Sequence, residues 1–301
     1  MTEHRVQFDF EIEFSNGGGL CGEAFRLDID GDDIADEALA DAIVRDMRLL
    51  MVGAVRIRNK TIVVEPHKRA AIARPPREDA RFVDLSHTIE DGMITYKGLP
   101  APLICDHLSR VDSRNLYAPG TEFQIGRITM VANTGTYIDA PFHRYADGHD
   151  VAGFEMSSIA DVDAVVVHLD GMRARSIARS ELAALDVEGK AVLVHTGWSK
   201  RWRTDAYFEN HPFLTADAAA YLRDARARLV GIDSFNIDDT TNGTRPVHTT
   251  LLGAGIPIVE HLTALDALPS SGFRFSAVPP KVRGIGTFPV RAFATLAPDA
   301  R

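Results

Sequence analysis

The chain contains 301 residues, of which 45% are hydrophobic and 25% charged, and its formal net charge is -9. This length and composition are typical of a globular protein with either one large domain or a medium domain and a small appendage. The acidic balance and the lack of a basic run argue against nucleic acid as a partner.

The location predicted from the sequence is the cytoplasm. No apolar run approaches the roughly 20 residues that a membrane helix needs, so no membrane partner is expected. The first residues lack the basic and apolar regions of a signal peptide. The two cysteines, Cys21 and Cys105, lie far apart and form no CxxC pair, which favours free thiols in a reducing compartment.

Residues 1–70 are predicted to form a small α+β module, and residues 71–81, rich in charge and proline, a linker. Strands are indicated where apolar and polar residues alternate, because alternate side chains of a strand point to opposite faces. The predicted strands of the module are 6–14, 25–29, 55–58 and 61–64. A helix over about 34–52, capped by Asp32 or Asp33, completes a ββαββ order.

Residues 133–143 form the most informative stretch, Asn-Thr-Gly-Thr-Tyr-Ile-Asp-Ala-Pro-Phe-His. This stretch resembles the metal-binding signature of the cyclase superfamily of the kynurenine formamidase and isatin hydrolase type, His-x-Gly-Thr-His-x-Asp-x-Pro-x-His. Asp139, Pro141 and His143 match the signature, whereas Asn133 and Tyr137 stand where it has histidine. The resemblance therefore implies a metallohydrolase scaffold that lacks two of its metal ligands.

Further segments resemble the same superfamily in the expected order and extend the similarity over about 82–298. These segments are 82–87, 92–98, 191–199, 229–233 and 286–291. For residues 82–301 the resemblance implies an α/β fold of the swivelling β/β/α type, with a mixed, partly barrel-like sheet and outer helices. It also implies a homodimer or homotetramer in which a neighbouring subunit helps to close the pocket.

The metal content predicted from these residues is none. Asparagine is a weak neutral donor, and a phenol with a pKa of about 10 is a poor ligand at neutral pH. His248 and Glu260 match the superfamily's later ligand pair, so the alternative is one zinc or manganese ion held by Asp139, His248 and Glu260.

Without a Lewis acid, an imidazole, two carboxylates and a phenol suit proton transfer. The leading hypothesis is therefore a metal-independent cyclase or lyase, which catalyses intramolecular conjugate addition or dehydration of a carbonyl-bearing small molecule of the polyketide type. His143 is the expected base, oriented by Asp139, and Tyr137 donates to the oxyanion. The full set of expected catalytic residues is His143, Asp139, Tyr137, His248 and Glu260.

Substrate contacts are predicted from three further residues. Asn133 shares the oxyanion with Tyr137, Trp198 offers a stacking surface at the end of a buried strand, and His87 lies near the pocket in the superfamily. A packing role in the core is the alternative for Trp198, and a core or surface position is the alternative for His87.

Two other functions remain open on the sequence. One is a metal-dependent amidohydrolase or lactonase of the kynurenine formamidase or isatin hydrolase type, which a chelator would inhibit. The other is a non-catalytic ligand-binding pseudoenzyme, which would bind its ligand without turnover, since fold resemblance alone does not fix function.

Overall fold

The structure, a computed structural model, describes residues 3–29, 31–47, 49, 51–65, 81–171 and 174–296. The chain divides into two compact units, Met1–Glu78 and Asp79–Arg301. The linker predicted over 71–81 lies outside the described residues except for its last position. Within the described ranges, no helix is long and apolar enough to cross a membrane.

In its described residues, the first unit forms a three-stranded antiparallel sheet with one helix. Strand β1 (Glu3–Phe14) lies between β2 (Gly19–Ile29) and β3 (Val52–Glu65), and helix α1 (Asp36–Asp46) connects β2 to β3. The alternating pattern of β1 places its apolar residues on one face, where they pack against α1. The buried core of this unit is Val6, Phe8, Phe10, Ile12, Leu39 and Ile43.

The structure corrects the second predicted hairpin, because the chain forms one continuous strand where two were expected. Both halves of β3 pair with β1: Gln7 lies opposite Thr61, and Asp9 lies opposite Arg58. The extra residue on β3 is absorbed by a bulge at Asn59, which has a φ of 52°. The order is therefore ββαβ. The helix also ends at Asp46 rather than near 52, because β3 already begins at Val52.

The described residues of the second unit form thirteen strands. They are β4 (Arg81–Asp84), β5 (Leu103–Leu108), β6 (Ile125–Thr129), β7 (Tyr137–Asp139), β8 (Val162–His168), β9 (Ser176–Ile177), β10 (Ala191–His195), β11 (Phe213–Leu214), β12 (Leu229–Ile232), β13 (Ile258–Glu260), β14 (Ser271–Ser276), β15 (Thr287–Pro289) and β16 (Phe293–Leu296). Nine of them form one sheet in the order β15-β7-β13-β12-β10-β8-β14-β16-β4. The four strands from β13 to β8 in that order are parallel neighbours, and the remaining pairs are antiparallel. The predicted α/β fold with a mixed, partly curled sheet is thus confirmed.

The helices of the second unit are short. They are α2 (Arg110–Ser113), α3 (Met156–Ile159), α4 (Arg179–Leu182), α5 (Ala216–Asp224) and α6 (Pro246–Gly253), with 3-10 turns at Pro141–His143, Val151–Gly153, Trp198–Arg201, Asp205–Phe208 and Leu265–Ala267. The large sheet is buried on both faces, since Leu193 of β10 packs into one apolar core and Val192 and Val194 pack into another.

Three strands and one helix position the chemistry. In the antiparallel pair of β7 and β13, Tyr137 lies opposite Glu260, and on the other side of β7 Asp139 lies opposite Thr287 of β15. Because side chains alternate along a strand, Tyr137 and Asp139 project from the same face. Helix α6 begins at Pro246, whose missing N–H is tolerated in a first turn, and carries His248.

Candidate metal centre and active site

Asp139 and His143 are joined through the hydroxyl of Thr287. The Thr287 hydroxyl donates to Asp139 Oδ1 at 2.5 Å and lies 2.9 Å from His143 Nδ1. A hydroxyl has one proton to donate, so Thr287 accepts its second hydrogen bond from His143 Nδ1. In this tautomer His143 Nε2 carries a lone pair that could bind a cation, and it lies 4.0 Å from Asp139 Oδ1.

His248 is oriented by a second carboxylate. Its Nδ1 donates to Asp238 Oδ2 at 2.6 Å, while its Nε2 lies 3.6 Å from Asp139 Oδ2 and 3.8 Å from Glu260 Oε1. Burial lowers the pKa of His248, but the bonds to Asp139 and Asp238 and the charge of Glu260 outweigh that effect and raise it to about 10. A carboxylate on one ring nitrogen is the arrangement that fixes metal-ligating histidines.

Glu260 accepts hydrogen bonds on both oxygens. The backbone N–H of Ile237 donates to Oε1 at 2.6 Å, and the hydroxyls of Tyr137 and Tyr96 donate to Oε2 at 2.5 and 3.3 Å. Burial raises the pKa of Glu260, and hydrogen bonds from Tyr137 and Ile237 oppose that rise. Burial, reinforced by the charge of Glu260, also raises the pKa of Tyr137 well above its usual value, so this phenol remains a donor.

The residues at this centre fit a divalent cation. Asp139, Asp238 and Glu260 are all buried, and the imidazole of His248 hydrogen-bonds to Asp238 and faces the other two carboxylates. Asp139 Oδ2 is buried with no hydrogen-bond partner in the described part of the chain. Ligand atoms of Asp139, His143 and His248 all lie within 4.8 Å of one another. Two imidazoles and a carboxylate suit zinc, and a cation would offset the surplus buried negative charge.

The centre opens into a cavity of about 790 Å³. Five of the residues predicted from the sequence line it: Asn133, Tyr137, His143, His248 and Glu260. Trp198 and His87 are not among its described lining residues. The Trp198 ring nitrogen donates to the carbonyl of Tyr207 at 2.9 Å, and the His87 ring stacks on Trp202 at a centroid distance of 4.1 Å.

Three polar residues of the centre were missed by the sequence analysis: Tyr96, Asp238 and Thr287. Tyr96 and Thr287 contact catalytic candidates that are distant in the chain, since 164 positions separate Tyr96 from Glu260 and 148 separate Thr287 from Asp139. Asp238 is only 10 positions from His248. A usable signal existed for Asp238, because residues that follow a buried parallel strand such as β12 often line a site at that sheet edge. Thr287 is brought to Asp139 by strand pairing, which the sequence does not display.

Gly286 permits the close approach of this strand edge to His143. A Cβ added to Gly286 would fall on the backbone of His143. We therefore expect Gly286→Ala to displace the Pro141–His143 turn and to weaken zinc binding by about 10–100-fold, the usual range when ligand positioning is lost. Isothermal titration with zinc measures this. Gly243→Ala is the control, because a Cβ at this cavity-lining glycine meets open space; equal affinities of the two variants would contradict the prediction.

A set of imidazoles and carboxylates beside a cavity, buried except for His143, lies on a mixed α/β sheet. This arrangement defines the class as an α/β enzyme with a metal-compatible centre. The family profile described as "Putative cyclase" matches residues 83–239. The chain is 36% identical over 171 residues to the kynurenine formamidase of Geobacillus thermodenitrificans, covering 56% of this chain and 78% of that protein. With the kynurenine formamidase of Bacillus cereus it shares 30% identity over 215 residues, which cover 71% of this chain and 96% of that protein.

One solved structure is described as a potential metal-dependent hydrolase with cyclase activity. It shares 29% identity with this chain, has a TM-score of 0.59, and covers 72% of this chain and 98% of its own. The chain belongs to the cyclase family, as the resemblance at residues 133–143 implied.

These findings correct two predictions. The metal-independent cyclase is wrong, together with its lyase and secondary-metabolite assignments, because the relatives carry the names of hydrolases. The prediction of no metal cofactor is also wrong, because a related structure is described as metal-dependent and the described residues include a candidate ligand group. Two histidines of the signature are replaced by Asn133 and Tyr137, but the fold brings His143 within reach of Asp139 and His248.

Proposed function

We propose that this chain is a metal-dependent hydrolase of small amides or lactones, with a formamide of an aromatic amine as its first substrate to test. The observation that carries the proposal is the cluster of Asp139, His143 and His248 beside the cavity, with Asp139 Oδ2 lacking a hydrogen-bond partner in the described chain. When bound there, a divalent cation supplies Lewis acidity toward the scissile carbonyl and a nucleophilic water at neutral pH.

Each residue of the centre then has a distinct role. Asp139, His143 and His248 hold the cation, while Asp238 and Thr287 fix the two imidazole rings through their Nδ1 atoms. Glu260 faces the cavity with a raised pKa, which suits a group that takes a proton from the attacking water and returns it to the leaving amine. In this proposal His143 is a ligand, whereas the sequence analysis made it the base.

The ligand and base assignments are separable by metal analysis. We expect Glu260→Gln to keep its zinc but to lose about 10²–10⁴-fold in kcat, the usual contribution of a general base. His143→Ala should lose the zinc of this centre as well as turnover. Zinc content per chain, measured by plasma mass spectrometry after dialysis and compared with that of the wild type, decides between the roles. A wild-type zinc content in His143→Ala together with a reduced content in Glu260→Gln would contradict the assignment.

The cavity supports a substrate that carries an aromatic ring and an anion. Tyr96, Leu99 and Pro246 give it apolar surface, and Arg144 and Arg245 are also among its lining residues. The hydrogen bonds of Arg245 go to backbone carbonyls, and Arg144 bonds to a hydroxyl. Neither arginine forms an ion pair with a carboxylate of the described chain, so both are available to a substrate carboxylate.

N-formylkynurenine, the formamide that the relatives' name specifies, is the first substrate to test. The zinc-loaded chain should release formate and kynurenine in equal amounts, and Asp139→Asn serves as the inactive control. An aryl lactone should be assayed in parallel, because the same centre suits ring opening. Absence of both hydrolyses in the metal-loaded chain would overturn the proposal.

The described chain also supports self-association, the homodimer or homotetramer expected from the sequence. Strands β5 and β6 pair only with each other and contain no fully buried residue in the described structure. The exposed apolar residues of this arm and its loop are Leu103, Ile104, Val111, Leu116, Tyr117, Phe123, Ile125 and Ile128. An apolar surface of this kind marks an interaction site, and a second copy of this chain is the partner we propose.

Light scattering after size exclusion tests self-association. The wild-type chain should run as a multiple of 32.9 kDa, and the double variant Leu116→Glu with Ile128→Lys should shift to the mass of one chain. Met156→Glu alters an equally exposed apolar residue outside the arm and should leave the assembly unchanged. A monomeric wild type would contradict this prediction. The cytoplasmic location stays a prediction from the sequence.

A further inference from the structure

A second group of metal-ligating side chains lies at the ends of β8 and β10. His168 and His195 are partners in the parallel register of these strands, and their Nδ1 atoms are 3.0 Å apart. Asp170 Oδ1 lies 3.7 Å from His195 Nδ1. One ligand atom from each of the three residues lies within 4.8 Å of the other two.

This cluster is separate from the centre at Asp139. In the order of the large sheet, β13 and β12 lie between β7 and β10. At the usual strand spacing, β7 and β10 are therefore about 14 Å apart. The two groups also face opposite sides. Ile138 and Leu193 pack into the same core, so Asp139 projects away from that face, whereas His195 projects toward it.

Two separations between the donor atoms are close to those of a tetrahedral cation site. Bonds of 2.0–2.1 Å place two ligands of tetrahedral zinc about 3.3 Å apart, and the observed separations of 3.0 and 3.7 Å lie on either side of that value. Two imidazoles and one carboxylate form a donor set for zinc, with a fourth position left for water. Access from solvent is open, because His168 and Asp170 are exposed while His195 is only 2% exposed.

The protein backbone holds this geometry before any ligand arrives. The N–H of Leu169 donates to the carbonyl of His195 at 2.7 Å, so pairing continues past the end of β8 and keeps His168 and Asp170 on one face. The fully buried Asp233 accepts hydrogen bonds from the backbone of Thr196 and Gly197, which fixes the turn after His195. Because the donor atoms are already held in place, little conformational entropy is lost when a cation binds.

We propose that His168, Asp170 and His195 form a second binding site, for a divalent cation of the zinc class, that ties together the ends of two central parallel strands. The competing explanation is a single N–H···N hydrogen bond between the two imidazoles, with no cation. The proposal stands independently of the hydrolase function, because it uses none of the residues of the Asp139 centre.

Zinc stoichiometry of the full chain distinguishes these explanations. Chelator-treated protein is dialysed against zinc and the bound metal is measured by plasma mass spectrometry. We expect two zinc ions in the wild type, one in His168→Ala, one in His248→Ala and none in the double variant. Asp170→Asn should weaken the second site by at least about 10-fold. Zinc should still raise the Tm of His248→Ala, and this rise should vanish in the double variant.

His107→Ala is the matched control, because His107 is an exposed histidine outside both clusters. His168 and Asp170 are exposed, so their variants should keep the wild-type circular dichroism spectrum. Zinc content unchanged by His168→Ala, or reduced equally by His107→Ala, would overturn the second site. Loss of zinc in His248→Ala alone would leave the hydrolase proposal standing, whereas loss in His168→Ala alone would count against the Asp139 centre.

Discussion

Replacing His248 by alanine is expected to remove the cation of the Asp139 centre and to lower kcat/KM by at least about 10³-fold, or about 4 kcal/mol of transition-state stabilisation. His248 Nε2 faces both Asp139 and Glu260, so its loss removes a ligand and leaves the buried carboxylates without their imidazole. Asp139→Asn should have a similar effect. Formate release and zinc content, measured on the same preparations, check the result.

The control for His248→Ala is again His107→Ala, which should keep full turnover. Both variants remove one imidazole, but His107 lies exposed on β5. Thermal unfolding should accompany the assay, since His248 is buried. A folded His248→Ala chain with wild-type kcat/KM would contradict the assigned role.

Replacing Tyr137 by phenylalanine is expected to destabilise the chain without removing its metal. The lost hydroxyl removes the shorter of the two hydrogen bonds to the buried Glu260 Oε2 and leaves the 3.3 Å bond from Tyr96. Loss of a hydrogen bond to a charged group costs about 1.5–3 kcal/mol. For a unit of this size that corresponds to a Tm roughly 2–4 °C lower per kcal/mol. Zinc content should stay at the wild-type value, because the raised pKa keeps Tyr137 a donor and not a ligand.

Tyr145→Phe is the matched comparison for this effect. The Tyr145 hydroxyl donates to the backbone carbonyl of Thr249 at 2.8 Å, a neutral and less buried acceptor, so its loss should cost less than the loss at Tyr137. Differential scanning calorimetry on both variants gives the two values. Zinc loss from Tyr137→Phe, or a Tm equal to that of the wild type, would count against the account.

Much of the fold follows from the sequence, but strand boundaries do not. Alternation from Val6 to Phe14 and the apolar run at Ala191–His195 predict strands because the residue pattern matches the faces that the sheet buries. The same local pattern cannot distinguish a hairpin at Asn59 from a bulge within one long strand. That choice depends on whether both halves pair with β1, a contact between residues distant in the chain.

The site divides in a similar way. The motif at residues 133–143 identifies Asp139 and His143, and its match to the family also directs attention to His248. The motif does not reveal that Thr287 sets the tautomer of His143 or that Asp238 holds the ring of His248. Thr287 and Asp238 decide which ring nitrogen of each histidine faces a cation. Because these contacts are not visible in the sequence, the prediction of no metal took into account only the two substituted histidines.

The proposed hydrolase requires a metal ion bound at the Asp139 centre for turnover. The most direct test follows formate release from N-formylkynurenine before chelation, after removal of metal, and after zinc or manganese is restored. We predict that activity falls with metal content and returns when either ion is added, in proportion to the bound metal. Undiminished hydrolysis by protein with undetectable metal would contradict the claim.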